Sequence, residues 1–324
     1  MKDNAYNIIN RTHHASSQCE PGWVIFFIKV VTSMSDIHLK EPRTFEEKLN
    51  ILKGKNVIIE DEEQALNTLS KINYYRLSAY GLTLKEKDKD GVTFRQIQRI
   101  YDFDKRLREL FLYYLETIEI EFRTKIAYYH AHDFGALGYK KIKNFKSAHY
   151  HRIFLDKLEE GIRQSSKELF VIHHKHKYKG LFPFWVAIEV TSFGDLSRIY
   201  RNLLRKTKIK VIRHLNASPE TVGSWLHTLS YIRNVCAHYG RLYGKDLVIK
   251  PSLTDFKSQN LDNKSIFMIA FILTYFLKGN DNTNFITELS ALIEEYIDDI
   301  DLLNIGFQSN WEEMLRNITN KRYS

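Results

Sequence analysis

Apolar residues recur every three or four positions along most of the chain from residue 44 onward. The most regular pattern runs from about Phe94 to His132, and its apolar members are Ile97, Ile100, Tyr101, Leu107, Leu110, Phe111, Tyr114, Leu115 and Ile118. This spacing places them on one face of an α-helix. We therefore predict a long helix over these residues, which ends at Gly135 and Gly138.

Polar residues mark the starts of other helices. Thr44-Phe45-Glu46-Glu47 has the pattern of a capping box, in which a hydroxyl and a carboxylate three residues later bond the first amides. It predicts a helix that continues to about Lys53. Asp61 begins a second predicted helix, and Ser218 followed by Pro219 begins one that reaches about His238.

Weaker patterns predict five further helices, at about 148–165, from Pro183 onward, and at 195–205, 265–277 and 285–298. The stretch between the first of these and Gly180 is predicted to be loop. Tyr74 and Tyr75 end an apolar stripe, so we expect them in the core; the alternative is that they stack on bases.

Composition supports an all-α fold. The chain of 324 residues has 14 Gly and 5 Pro, too few for the many turns of a β-sandwich or barrel. Its 2 cysteines, Cys19 and Cys236, cannot form a disulfide framework or a thiolate zinc site, so we expect a reducing, cytoplasmic location and no metal or cofactor. His173, His174 and His176 lack a carboxylate or thiolate partner and are interpreted as a solvated basic loop.

Residues 1–40 differ from the rest and are interpreted as an N-terminal extension. Their apolar run, Trp23–Val31, is far shorter than the roughly 20 residues that a membrane-spanning helix needs. Met34 is a plausible alternative translation start. We divide the remainder into an N-terminal helical part (41–96), a helical core (97–304) and a C-terminal tail (305–324).

A formal net charge of +9 is compatible with a phosphate-bearing partner such as RNA. Near the end of the helix from Ser218, the pattern places Asn234, His238 and Arg241 on one face, with Arg233 on the flank. A guanidinium can neutralise charge on a phosphoryl group, and an imidazole can transfer the proton of an attacking 2′-hydroxyl. This set therefore predicts RNA cleavage without a metal ion. On spacing alone, a solvated helix end is the favoured alternative.

The long helix carries a second candidate set, because Glu119, Arg123 and His130 fall on one of its faces. Glu119 would hold Arg123, and Arg123 and His130 would face the substrate. The alternative is an ordinary helix salt bridge with a histidine near the helix end. We expect Arg241 and Lys245 to contact RNA beside the first set.

Several motifs together resemble the Abi-like bacterial abortive-infection proteins of the D/F type, whose fold belongs to the HEPN superfamily. They are Thr44–Glu47, Asn73–Tyr80, Tyr101–Arg108, Ile118–Arg123, Pro183–Glu189, Phe193–Leu196 and Arg233–Tyr243, within a span of about 40–320. The resemblance implies a HEPN-like helical bundle and a metal-independent endoribonuclease. The family's motif of an arginine followed by a histidine falls on Arg233, Asn234 and His238.

The resemblance also implies a composite site and a role in phage defence. Two motifs would meet either within one chain, through Arg123 and His130, or across a homodimer, which we favour. A small RNA or a protein antitoxin would hold the toxin-like enzyme silent. The alternative functions are a basic helical module that binds RNA or a regulatory partner without cutting it, and membrane association through Trp23–Val31.

Overall fold

The computed structural model describes residues 41–84, 91–257 and 261–323. The predicted extension, its apolar run and the alternative start at Met34 lie outside these ranges. Residues 41–48 belong to one compact unit and residues 49–323 to another. None of the helices in the described ranges is long and apolar enough to cross a bilayer.

The all-α prediction is confirmed, with thirteen α-helices in the described residues. They are α1 (Phe45–Lys53), α2 (Glu62–Lys71), α3 (Tyr74–Leu84), α4 (Phe94–Phe134), α5 (Ala148–Gln164), α6 (Leu169–Lys177), α7 (Phe184–Ala187), α8 (Phe193–Asn202), α9 (Arg205–Val211), α10 (Pro219–Ala237), α11 (Phe267–Phe276), α12 (Gly279–Glu295) and α13 (Trp311–Tyr323). Within the described ranges, 3-10 turns cover Gly138–Lys140, Ile142–Asn144, Ile188–Val190 and Leu302–Ile305.

The strands of the described residues are two short ones, β1 (Val57–Ile58) and β2 (Val92–Thr93). They pair in parallel, with Val57 opposite Val92. This contact fixes the start of α4, because Thr93 also caps that helix in a capping box with Gln96. The sequence did not reveal these strands, since two residues are too few for a periodic pattern.

Helix α4 is the central element of the fold and confirms the predicted long helix. Its 41 residues extend over about 60 Å and contain neither glycine nor proline. It packs against α3, α7, α9, α10, α11 and α12. It ends where Gly135 adopts a φ of 83°. Because so many helices share this support, residues far apart in sequence meet along its surface.

The predicted helix starts are also correct. The Thr44 hydroxyl accepts from the amide of Glu47 (3.2 Å), Asp61 accepts from that of Gln64 (2.9 Å), and Ser218 accepts from that of Thr221 (3.3 Å). The side chains of the tyrosine pair separate, since Tyr74 is buried and Tyr75 is exposed.

Several boundaries differ from prediction. Residues 169–177 form α6 instead of a loop, because Val171 is fully buried and anchors the helix. The helix predicted over 195–205 begins at Phe193 and stops at Asn202, because buried Leu203 extends to bridge Phe145. Helix α12 begins six residues before its predicted start at Phe285, since buried Asn282 bonds the carbonyl of Thr274 (2.6 Å).

Candidate functional site

The exposed end of α10 carries the residues predicted to be catalytic. The helix buries Trp225, Leu229 and Ile232 on its inner side. Arg233 and Asn234 are exposed on its last turn, and His238 is exposed as its C-cap residue, with its amide bonded to the carbonyl of Asn234 (3.0 Å). No hydrogen bond or ion pair joins the His238 ring to another described residue. The His238 ring is therefore accessible from solvent.

A tight reversal follows His238. The amide of Gly240 donates to the carbonyl of Val235 (2.7 Å), and the amide of Tyr239 donates to that of Cys236 (3.1 Å), which together form a Schellman motif. Tyr239 has a φ of 59°, a left-handed conformation that glycine normally occupies. A side chain at Gly240 would lie 2.7 Å from Cγ1 of Val235, so this position has no room for one.

This reversal corrects the prediction that Arg241 shares a helical face with Asn234 and His238. The helix ends at Ala237, so Arg241 lies beyond it. Its guanidinium donates to the carbonyl of Ala79 and lies 5.7 Å from the ring centroid of Tyr80. Lys245, the other residue expected to contact RNA, is exposed.

The segment after the reversal is held by Asp104, a fully buried residue of α4. The Asp104 carboxylate accepts hydrogen bonds from the amides of Leu242 (3.1 Å) and Tyr243 (2.8 Å), from the hydroxyl of Tyr80 (2.6 Å) and from the guanidinium of Arg108. Burial raises the pKa of Asp104, and these donors oppose that shift. The Asp104 carboxylate thus fixes the backbone of residues 242–243, which follow the reversal.

Glu119 connects the two candidate sets. Its Oε1 accepts from Nη2 of Arg123 (2.6 Å), and its Oε2 lies 3.9 Å from Nε of Arg233. Nη1 of Arg233 also donates to Oδ1 of Asn234 (3.3 Å). Glu119 and Arg123 from α4 therefore meet Arg233 and Asn234 from α10 within one chain.

Arg123 is 8% exposed and bonded from several sides. Its Nη1 donates to the carbonyl of Thr191 (2.9 Å) and also contacts the Thr191 hydroxyl (3.1 Å) and the carbonyl of Ile188 (2.5 Å). Glu189 lies 3.9 Å from its Nε. The guanidinium thus ties α4 to the turn after α7.

His130 lies in different surroundings. It is fully buried, and its ring packs 4.9 Å from those of Phe134 and Phe184 and 5.1 Å from that of Phe145. Neither ring nitrogen has a hydrogen-bond partner in the described residues. Burial lowers its pKa to about 4. The ring is therefore neutral at pH 7 and enclosed by aromatic side chains.

A basic cavity of about 370 Å³ opens beside the reversal. Cys236 of α10 and Tyr239 of the reversal line it, and its charged lining residues are Lys71, Arg76, Lys105, Arg108 and Glu109. Nη1 of Arg76 donates to the carbonyl of Tyr239 (2.5 Å). Arg108 is paired with buried Asp104 and Lys105 lies 3.9 Å from Glu109, so Lys71 and Arg76 supply the positive charge that makes this lining attractive to an anion.

Cys236 does not add a nucleophile to this cavity. The residue is buried, and burial raises the pKa of its thiol to about 12. The thiol therefore stays protonated at neutral pH and is unreactive.

The described residues contain no group of histidine, cysteine and carboxylate side chains that could hold a metal ion. The histidines of residues 173–176 lie on α6 rather than in the predicted loop. The His174 ring stacks on Phe182 at a centroid distance of 5.5 Å, and its Nδ1 lies 2.8 Å from the carbonyl of Phe170.

Sequence reasoning missed the basic cavity and the role of Asp104. Lys71, Arg76 and Lys105 are ordinary exposed cations when read singly. Their convergence depends on the positions of α2, α3 and α4 beside the end of α10. An aspartate on the apolar face of a long helix, as Asp104 is, was the available signal for a buried polar contact.

Comparison with known proteins identifies one family. The family model described as Abi-like protein matches residues 67–244, which is more than half of the chain and includes both candidate sets. No curated protein and no solved structure matches the sequence.

Proposed function

We propose a function from the premise that the chain belongs to the Abi-like protein family. This family indicates abortive-infection defence against phage. The finer proposal is that the protein is a toxin-like, metal-independent HEPN endoribonuclease. The observation that carries it is the exposed cluster of Arg233, Asn234 and His238 beside a cavity with an excess of cations.

In this proposal the 2′-oxygen of a ribose attacks the adjacent phosphorus, and the bond from phosphorus to the 5′-oxygen breaks. One imidazole accepts the 2′-hydroxyl proton, and a second acid protonates the leaving 5′-oxygen. Arg233 stabilises the charge on the phosphoryl oxygens, and Asn234 orients Arg233 through their hydrogen bond. The products are a 2′,3′-cyclic phosphate and a 5′-hydroxyl.

The second proton-transfer group is supplied by another copy of the chain. His130 is enclosed by aromatic rings with a pKa lowered to about 4, so it is poorly suited to this role. His238 is exposed, and its ring makes no hydrogen bond or ion pair with another described residue. It is therefore accessible to a second copy of the chain, as a shared site requires. We therefore favour a homodimer in which two His238 side chains face one phosphate.

The decisive experiment incubates wild type, His238→Ala and the control His149→Ala with total bacterial RNA in EDTA. His149 is another exposed histidine near a helix end. We expect fragments with cyclic-phosphate ends from wild type and the control but not from His238→Ala, with equal helical circular dichroism in all three. Cleavage by a folded His238→Ala protein, or cleavage that EDTA abolishes, would contradict the proposal.

The basic cavity also favours a second candidate function, in which the protein binds RNA or a partner without cutting it. Binding would then weaken as salt concentration rises. It would persist in the His238→Ala protein, and the RNA would stay intact in both.

A further inference from the structure

A second cavity, of about 510 Å³, lies along α4 on the side of Arg123 away from the basic cavity. We call it the aromatic groove. Its lining includes Ala127, Ala131 and Ala136, together with Tyr128, Trp185 and Glu189. Its volume falls within the range of about 300–1,000 Å³ that is typical of sites for small molecules.

The groove exposes large aromatic surfaces. Trp185 is 52% exposed and Tyr128 is 53% exposed, whereas Trp225 and Trp311 are buried in the core. The His132 ring lies 4.0 Å from that of Tyr128, at an angle of 36°. Alanine side chains leave the space between these rings open.

The fold presents Trp185 outward by burying its neighbour. Phe184 is fully buried against Tyr139, with a centroid distance of 5.1 Å, and its amide donates to the carbonyl of Ala136 (2.9 Å). The next residue, Trp185, is turned by about 100° around the short helix and is exposed. Four residues later, Glu189 is also exposed and lines the same groove.

A chain of side-chain contacts links the lining of the groove to the proposed site. Glu189 lies 3.9 Å from Arg123, which bonds Glu119, which in turn contacts Arg233. Beyond Ala136, the groove adjoins a cavity of about 350 Å³ that is lined by Lys177, Lys179 and Tyr178, among others. Exposed rings with flanking cations are the features that bind single-stranded nucleic acid.

We infer that the aromatic groove holds an unpaired base of the RNA strand, stacked on Trp185, while the strand runs on toward Arg233. This inference rests on the proposed function and names how the substrate is held. The positive charge of the lysines beyond Ala136 is complementary to the negative phosphate backbone, which favours RNA over an apolar protein segment. Stacking of one base contributes about 1–3 kcal/mol to binding.

The test uses single strands of about ten nucleotides with 2′-O-methyl groups, which cannot be cleaved by 2′-oxygen attack. One strand is oligocytidylate, and the other is an abasic strand with the same number of phosphates. Affinities are measured for wild type, Trp185→Ala, Trp185→Phe and Tyr150→Ala. Tyr150 is an exposed tyrosine of α5 that does not line the groove.

We expect wild type and Tyr150→Ala to bind the oligocytidylate roughly 5- to 100-fold more tightly than the abasic strand. Trp185→Ala should lose most of this preference but keep its affinity for the abasic strand. Trp185→Phe should retain most of the preference for the oligocytidylate. Quenching of tryptophan fluorescence by the oligocytidylate should disappear with Trp185. Equal affinity of wild type for the two strands, or an unchanged preference in Trp185→Ala, would overturn the inference.

The outcome is separable from that of the proposed function. If wild type cleaves cellular RNA but Trp185→Ala keeps the base preference, the groove assignment is wrong and the ribonuclease proposal stands. If the preference depends on Trp185 but no natural RNA is cleaved, the groove assignment stands and the ribonuclease proposal is wrong.

Discussion

The carboxylate of Glu119 lies 3.9 Å from Nε of Arg233, although 114 positions separate the two residues in the chain. The same carboxylate makes its shorter contact, 2.6 Å, with the buried guanidinium of Arg123. The Nε of Arg233 therefore lies toward Glu119, while its Nη1 donates to Oδ1 of Asn234 (3.3 Å). In the proposed mechanism, this arrangement would orient Arg233 toward the phosphate without closing it into a buried ion pair.

Glu119→Gln should lower both stability and cleavage. Arg123 is nearly buried, so loss of its charged partner should reduce the free energy of unfolding by roughly 1–3 kcal/mol. Arg233 would also lose its orientation, and we expect RNA cleavage to fall tenfold or more. Denaturant unfolding and initial cleavage rates measure the two effects. The matched control is Glu116→Gln, at an exposed position one turn earlier on α4; an equal loss there would contradict the assignment.

His130 should make the protein sensitive to acid. The pKa of His130 is lowered from 6.5 to about 4 in the folded protein. Between these two pH values the histidine is protonated in the unfolded chain but not in the folded protein. Stability from this residue is complete above pH 6.5 and declines as the pH falls toward 4. At pH 5 the loss is about 2 kcal/mol.

The measurement compares unfolding free energies at pH 8 and pH 5 for wild type and His130→Phe. The variant should lose about 2 kcal/mol less than wild type over this interval. The control is His149→Ala, which replaces an exposed histidine and should leave the pH dependence of stability unchanged. Identical curves for His130→Phe and wild type would refute the prediction.

Asp104→Asn should be among the most destabilising substitutions in the fold. It would leave the buried guanidinium of Arg108 without its carboxylate and weaken the hold on Leu242 and Tyr243, at a cost of about 3–5 kcal/mol. Tyr80→Phe removes a single donor to the same carboxylate and should cost less, about 1–3 kcal/mol. Thermal and denaturant unfolding would measure both. A smaller loss for Asp104→Asn than for Tyr80→Phe would contradict this account.

Tyr239 should carry measurable backbone strain. Its φ of 59° disfavours any residue with a Cβ atom, so Tyr239→Gly should be more stable than Tyr239→Ala by about 1 kcal/mol. The two variants lose the same phenol ring, which isolates the backbone effect. Equal midpoints in denaturant would show that the reversal tolerates a side chain without cost.

The sequence was informative where structure is local. Thr44, Asp61 and Ser218 cap helices as predicted, because each bond joins residues three apart. The apolar stripe of α4 was equally predictable, because the residues of a buried helical face recur with a fixed period.

The unpredicted features depend on packing. The contact of Asp104 with Leu242 spans 138 positions, and no local pattern indicates it. Phe184 and Trp185 are adjacent aromatic residues of similar character, and which of them is buried depends on the elements around α7. The catalytic roles of Arg233, Asn234 and His238 and the second set on α4 stay predictions.

The unbroken helix α4 carries Asp104, Glu119 and Ala131 on one continuous element of about 60 Å. Without a glycine or proline to bend it, the distance between its contact points is set by the rise of the helix. A strand anchored in the aromatic groove would therefore meet Arg233 after a constant length. The cuts in different RNAs would then fall at the same number of nucleotides from the base held in the aromatic groove.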